Sequence, residues 1–313
     1  MKLLAALCGL CALLLASAAW AVPDALVSGV KMPAWLERGV QRFPLAPGVE
    51  LYSGDALVTG SDARLLLTTA DGSTIKLGEN ARMQLSGMAQ YRHHEPMFSA
   101  LLDVVKGAFR FTTSALAKLR KREVSIKVAA VTVGIRGTDV WGKVGGSMKI
   151  ADLEKAMMGK AMPGHDKQTR MAFDVVCLVE GQVSMEHVAQ GGMMMVQPMT
   201  LLMMPAGEAP MAVSEVAQEQ LDKWLLETEI VAGQGAARSG GRWKVNLLEV
   251  EDKPAALAAY DGLRTAGYAV RIQSLATGRF RLRLTQLPTR AEAEALAHAL
   301  TGKLGIQSPT VSR

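Results

Sequence analysis

The chain runs to 313 residues, long enough for two or three modest domains, and 49% of it is hydrophobic against 20% charged, an ordinary globular balance that excludes a disordered or low-complexity protein. Lysine and arginine number 35 against 29 aspartate and glutamate, but the surplus is uneven: residues 242–313 hold 11 basic against 6 acidic side chains, whereas 22–241 hold 23 of each. That asymmetry points to an anionic partner for the C-terminal part.

The N-terminus opens on Lys2, continues through an apolar run from Leu3 to Leu15 and closes on Ala19-Trp20-Ala21. This is the pattern of a cleavable export signal, residues 1–21. The run is shorter than the roughly 18–20 residues needed to span a bilayer, and Cys8 and Cys11 each follow a Leu, which argues against lipidation. No later stretch is apolar enough to cross a membrane, so the mature form is expected in the periplasm without a span. Of the three cysteines only Cys177 then remains. It lies in the apolar run Val175–Val179 and reads as a core residue and not a nucleophile, and no intrachain disulfide is possible. Export also argues against nucleotide cofactors and nucleic acid as partners.

From residue 28 to 145 the chain reads as short strands broken by turns. Gly54-Asp55 and Asp71-Gly72 punctuate segments of partial alternation such as Ala63–Thr69 and Ser73–Leu77. Strand patterns continue at Gly107–Thr112, Val124–Val133, Val140–Val144, Ala172–Val179 and Gln182–His187, which favours an all-β sandwich or roll over residues 22–212. Between them, residues 146–170 form a polar insert in which Ile150, Leu153, Met157 and Met158 have helical spacing; it is expected as a surface excursion. A second helix is expected over Ser214–Val231, with Ser214 as its N-cap and Val216, Leu221, Trp224 and Leu225 as its apolar stripe. Residues 233–241 are rich in Gly and Ser. They read as a flexible linker closing a 213–241 connector.

After the linker the pattern becomes strand (Trp243–Val250), helix (Ala255–Ala266), strand (Ala269–Ser274), strand (Arg279–Thr285), helix (Thr289–Leu304) and strand (Pro309–Ser312). This βαββαβ order over 242–313 implies an α+β ferredoxin-like sheet with both helices on one face and the other face open. Alternation then sends Val245, Leu247, Leu282 and Leu284 toward the helices. Lys244, Asn246, Arg271, Gln273, Arg281 and Arg283 project from the open face.

Several phrases in the first region, Gly54-Asp55-Ala56-Leu57-Val58-Thr59-Gly60, Ala70-Asp71-Gly72-Ser73, Val105-Lys106-Gly107-Ala108-Phe109, Val133-Gly134-Ile135-Arg136-Gly137-Thr138-Asp139 and Leu178-Val179-Glu180-Gly181-Gln182-Val183, together resemble a FecR-type domain. Most describe turns at the ends of core strands. Arg136, Gly137 and Thr138 are the least ordinary among them, a structural motif or a partner contact, since an Arg in an apolar strand needs polar partners if buried. The C-terminal region resembles a SPOR domain through Trp243-Lys244-Val245-Asn246-Leu247, Phe280-Arg281-Leu282-Arg283-Leu284 and Thr289-Arg290-Ala291-Glu292-Ala293-Glu294. It departs from that family's usual pattern at Asn246, where Gln is usual, and at Thr285-Gln286, where Gly-Pro is usual.

The SPOR resemblance implies binding to glycan strands of peptidoglycan, with the division septum as one place for it. The FecR resemblance implies a second surface for a protein or polymer. The alternative is an envelope sensor, because FecR-type domains are best known in regulators that relay a receptor's state to a sigma factor. No nucleophile elbow, phosphate-cradling loop or metal-protease helix is present, so no catalysis and no cofactor is expected. The methionines at 193–195, 199, 203, 204 and 211 are read as gap-filling core residues and not as forming a soft-metal site with His93, His94 and Met97. Lys118-Leu119-Arg120-Lys121-Arg122 reads as a solvated basic turn.

Overall fold

The computed structural model describes residues 23–91, 97–119, 122–162, 164–188 and 191–313. The expected export signal, His93, His94, Arg120 and Lys121 lie outside the described residues.

The first unit is almost entirely β. Its main hydrogen-bonded path runs Ser214–Glu215, Thr200–Pro205, Arg170–His187, Val131–Lys149, Arg122–Val128, Met97–Thr112, Thr74–Leu77, Arg64–Thr69, Ala25–Lys31 and Ala237–Arg238, with shorter strands branching from it into one sixteen-stranded network. Among the described residues only Arg122–Val128 against Met97–Thr112 is parallel. Alternation explains the strands directly. In Arg64–Thr69 and Thr74–Leu77 the fully buried Leu65, Leu67, Ile75 and Leu77 interleave with partly exposed neighbours, the period of a sheet with one face in a core. The expected strand Val124–Val133 is two strands, because Ala129 takes a positive φ of 51° and turns the chain between Val128 and Val131.

The 146–170 insert is not a surface excursion. It caps the long pair Val131–Lys149 and Arg170–His187, and helix α1, Ile150–Ala156, buries Ile150, Leu153 and Ala156. These pack in a second core with Cys177, Leu221 and a stacked pair of indoles, Trp141 and Trp224, 5.0 Å apart at 6°. Trp224 comes from α2, Gln218–Leu226, which is shorter than the expected Ser214–Val231. Ser214 and Glu215 pair instead as a strand with Thr200 and Leu201, so Ser214 is no N-cap.

The Gly/Ser segment 233–241 is ordered. Ala237–Arg238 adds to the edge of Ala25–Lys31. The backbone amides of Gly233, Gly235 and Ala236 donate to the Glu292 carboxylate at 2.7, 2.5 and 2.9 Å, and Glu292 is 4% exposed. Composition read the segment as flexible because it carries no apolar periodicity; the partners that order it lie elsewhere in the chain.

The C-terminal module has a four-stranded antiparallel sheet in the order Arg271–Ser274, Phe280–Leu287, Trp243–Val250, Thr310–Ser312. Helices α3, Lys253–Thr265, and α4, Arg290–Leu300, are N-capped by Asp252 and Thr289, whose side chains accept from Ala255 and Glu292 amides. The module docks on the first unit. Trp35 Nε1 donates to the Thr265 carbonyl at 3.2 Å, the Ala34 amide to the Gly267 carbonyl at 3.3 Å, and Gln286 Nε2 to the Pro47 carbonyl at 3.3 Å. A Cβ on Gly267 would stand 2.6 Å from the Trp35 ring, so only glycine admits this approach. Gln286 holds a positive φ of 66° at the position where the family's usual pattern has Pro, whose ring cannot take that φ, and its side chain makes the contact with the first unit.

Candidate functional site

The C-terminal sheet brings the six expected residues onto one face. Val245, Leu247, Leu282 and Leu284 are all buried beneath the helices at 0–2% exposure, and the register pairs Arg271 with Arg283, Gln273 with Arg281 and Asn246 with Arg283 on the side away from them. Arg271, Arg283 and Asn246 thus stand in one row across three strands, with Thr310 opposite Asn246 extending it to the fourth. Arg271 is exposed, and the other five are partly exposed.

Within the face, polar groups orient one another. Arg283 Nη1 donates to Gln273 Oε1 at 2.8 Å, while its Nε is shielded from solvent and without a partner among the described residues. Asn246 Nδ2 donates to the hydroxyls of Thr310 and Ser312, each at 3.3 Å, and Lys244 Nζ reaches the Arg313 carbonyl at 3.2 Å. Arg281 is engaged by Glu249, Nε to Oε1 at 2.7 Å and Nη2 to Oε1 at 2.6 Å, and Glu249 and Glu251 also hold Arg279. The face therefore offers guanidinium donors from Arg271 and Arg283 beside an amide oxygen and hydroxyls. It matches a ligand rich in hydroxyl, acetamido and carboxylate oxygens better than a densely anionic one.

Sequence reading missed Glu249, Glu251, Thr310 and Ser312. The signal for Glu249 was Leu247-Leu248, two apolar residues in succession: the register shifts between Asn246 and Leu248, a bulge that returns Glu249 to the open face opposite Arg281.

In the first unit the Arg136-Gly137-Thr138-Asp139 stretch divides. Arg136 is exposed, opposite Gln182 in the ladder, with no ion-pair partner among the described residues, so the buried-arginine role does not apply to it. Gly137 takes φ 71° and the register shifts between Arg136 and Asp139. That bulge buries Thr138 and turns Asp139 inward. There Asp139 accepts from Arg110 Nε at 2.9 Å and Nη2 at 2.6 Å, and Arg110 also binds Glu229, which is paired with Lys76. The hydrogen bond to Asp139 holds the Arg110 guanidinium above its ordinary pKa.

Two other family phrases supply the same kind of pair. Asp55, 2% exposed in its side chain, accepts from Arg38 at 2.7 Å twice. Asp71, 5% exposed, meets Arg122 at 3.3 Å. Arg122, at 6% exposure, also donates to the Thr113 hydroxyl at 2.5 Å, and burial lowers its pKa while Asp71 opposes the shift. The basic run at 118–122 is therefore not all solvated: its last residue is a buried ion-pair partner.

Among the described residues no cluster of His, Cys, Asp and Glu could hold a metal, and no helix is long and apolar enough to cross a membrane. Residues 55–154 match the family described as FecR protein, and residues 239–313 match the SPOR domain. No curated protein is matched. Two crystal structures, each of a proposed anti-sigma factor from Parabacteroides distasonis, are similar at 11% and 10% identity. They cover 78% and 82% of this chain and 89% and 98% of their own, with TM-scores of 0.37 and 0.36. The chain carries a FecR-type region, followed at its C-terminus by a SPOR domain.

Proposed function

We propose that the protein is a non-enzymatic periplasmic adaptor, exported by a cleaved signal, whose SPOR domain binds the glycan strands of peptidoglycan while its FecR-type unit meets a second partner. The observation that carries this reading is the open face of the SPOR domain, where Lys244, Asn246, Arg271, Gln273, Arg281 and Arg283 converge on a domain type that binds peptidoglycan. Septal enrichment follows if the preferred strands are concentrated at the septum. The FecR match also supports an envelope-signalling role; a retained N-terminal anchor with a dedicated protein partner would favour it over the adaptor.

The test is co-sedimentation of the whole exported chain with purified sacculi. Arg281→Ala with Arg283→Ala is expected to weaken binding by at least about tenfold, because hydrogen bonds from charged donors contribute about 1.5–3 kcal/mol each. The thermal melt should stay unchanged. Undiminished pull-down of the double variant would place the binding face elsewhere.

A further inference from the structure

One strand edge of the first unit is open and uncharged. Gly191–Met195 pairs on one side with Arg170–His187, in the register Ser184 to Met194 and Glu186 to Gly192, and on the other side with nothing among the described residues. Open edges are ordinarily blunted by charge, proline or a bulge. Here no Asp, Glu, Lys or Arg occurs from Val188 to Gly207, and Met194 and Val196 are 60% and 57% exposed. The core role expected for this methionine run holds for Met195, at 1% exposure, and fails for Met194. Beside the edge, on the face carrying Ser184 and Met194, lies a depression of about 500 Å³ lined by Gly134, Ser184, Glu186, Gly192, Met193 and Met194.

We propose that this edge joins two copies of the chain, paired antiparallel about a two-fold axis at Met193. That register sets Gly192 of each copy opposite Met194 of the other, and Gly191 opposite Met195. Met194 and Met195 then each face a glycine, and Met193, packed partly buried against the core, meets its own copy on the axis. The space is real, since a Cβ on either glycine would meet nothing within 4 Å. Met194 of one copy crosses Gly192 of the other and covers the depression beside it. Neighbouring registers that keep the two faces aligned are worse: a shift of the axis to Met194 sets Met194 against itself, and a shift to Gly192 leaves glycine against glycine. A second copy supplies this complementary order automatically, and the absence of charge on the edge strand itself leaves no repulsion between the two paired strands.

A contact of five residues per copy falls short of the roughly 800 Å² per partner of a stable dimer. Association is therefore concentration-dependent, and it strengthens where copies share one polymer. Only that last step rests on the glycan reading.

Sedimentation equilibrium of the exported chain from about 1 μM to about 1 mM tests the contact without glycan. A monomer–dimer equilibrium is expected. Met194→Lys and Gly192→Val should each weaken it by about tenfold or more. The double variant Gly192→Met with Met194→Gly interchanges projection and gap, and should restore wild-type association. Circular dichroism should be the same for all four proteins, and all four should still co-sediment with sacculi, the two single variants with the lower avidity of a monomer, which separates loss of the edge contact from misfolding and from failure of the glycan reading. A wild type that stays monomeric throughout, association unchanged in Met194→Lys, or a double variant as weak as the single ones would overturn the proposal.

Discussion

Glu292 is the residue on which the union of the two units can be tested most directly. Its carboxylate accepts three backbone amides from 233–236 while buried at 4% exposure. Glu292→Ala removes the acceptor and leaves the amides behind. The Gly235 and Ala236 bonds are buried and that of Gly233 only partly so. Gly233 can therefore turn to water, whereas each of the other two carries the full penalty of about 1–3 kcal/mol for an unsatisfied buried group. With part of the charge-assisted bonding lost as well, the expected destabilisation is about 3–5 kcal/mol. Glu292→Gln retains one acceptor oxygen and should lose about half as much. The Thr289 cap to the Glu292 amide survives both changes, so α4 itself should persist. Urea unfolding gives the magnitude, and limited proteolysis gives the place: the wild type should resist cutting between Gly233 and Gly241, and Glu292→Ala should be cut there first. If Glu292→Ala melts with the wild type and the segment stays uncut, the clamp is incidental and the docking rests on other contacts.

Arg122→Ala strands Asp71 in a nearly buried site and is expected to cost about 3–5 kcal/mol by denaturant titration; Arg136→Ala, from the same region of sequence, should leave the melt unchanged because Arg136 is exposed. Equal effects would reverse the roles assigned to the two arginines. Burial, with a smaller contribution from Asp139, pushes the Cys177 thiol from 9.0 up to about 12. The unfolded thiol therefore loses its proton first. Its contribution to stability is intact below pH 9 and declines by about 1.4 kcal/mol per pH unit toward 12. Urea titrations at several alkaline pH values should show this extra slope in the wild type and not in Cys177→Ala; identical slopes would mean that the thiol is solvated.

Legibility followed the range of the interactions. The βαββαβ order and the buried set Val245, Leu247, Leu282 and Leu284 could be read because alternation and capping are local, and the sheet face followed from them. What failed was whatever depends on a distant partner. Asp55, Asp71 and Asp139 stood in quoted phrases as turn residues, yet each closes on an arginine 17, 51 or 29 positions away. No local pattern chooses Arg122 over Arg136 as the buried member. The Gly/Ser segment had no periodicity to betray its order, because its partner is a side chain on α4. Trp224 was placed on the correct stripe of a helix, but its stacking on Trp141 buries the insert, and that packing is non-local.

The ordered connector changes what a two-unit adaptor can do. A free nine-residue Gly/Ser tether would let one unit wander by about 15 Å r.m.s. from the other, so any partner of the FecR-type unit would sit at a variable height above the glycan. Instead Trp35, Pro47 and the strand Ala25–Lys31 hold the SPOR domain through Thr265, Gly267, Gln286 and Ala237–Arg238. None of these contacts involves Arg271, Arg283 or Asn246, so docking leaves the proposed glycan face uncovered. The departure at Gln286 then has a physical reason: the usual Pro can neither adopt the φ of 66° nor donate to the Pro47 carbonyl. Gln286→Gly keeps a residue that takes the positive φ but removes the donor to Pro47, so the SPOR domain should keep its fold and lose part of its hold on the first unit.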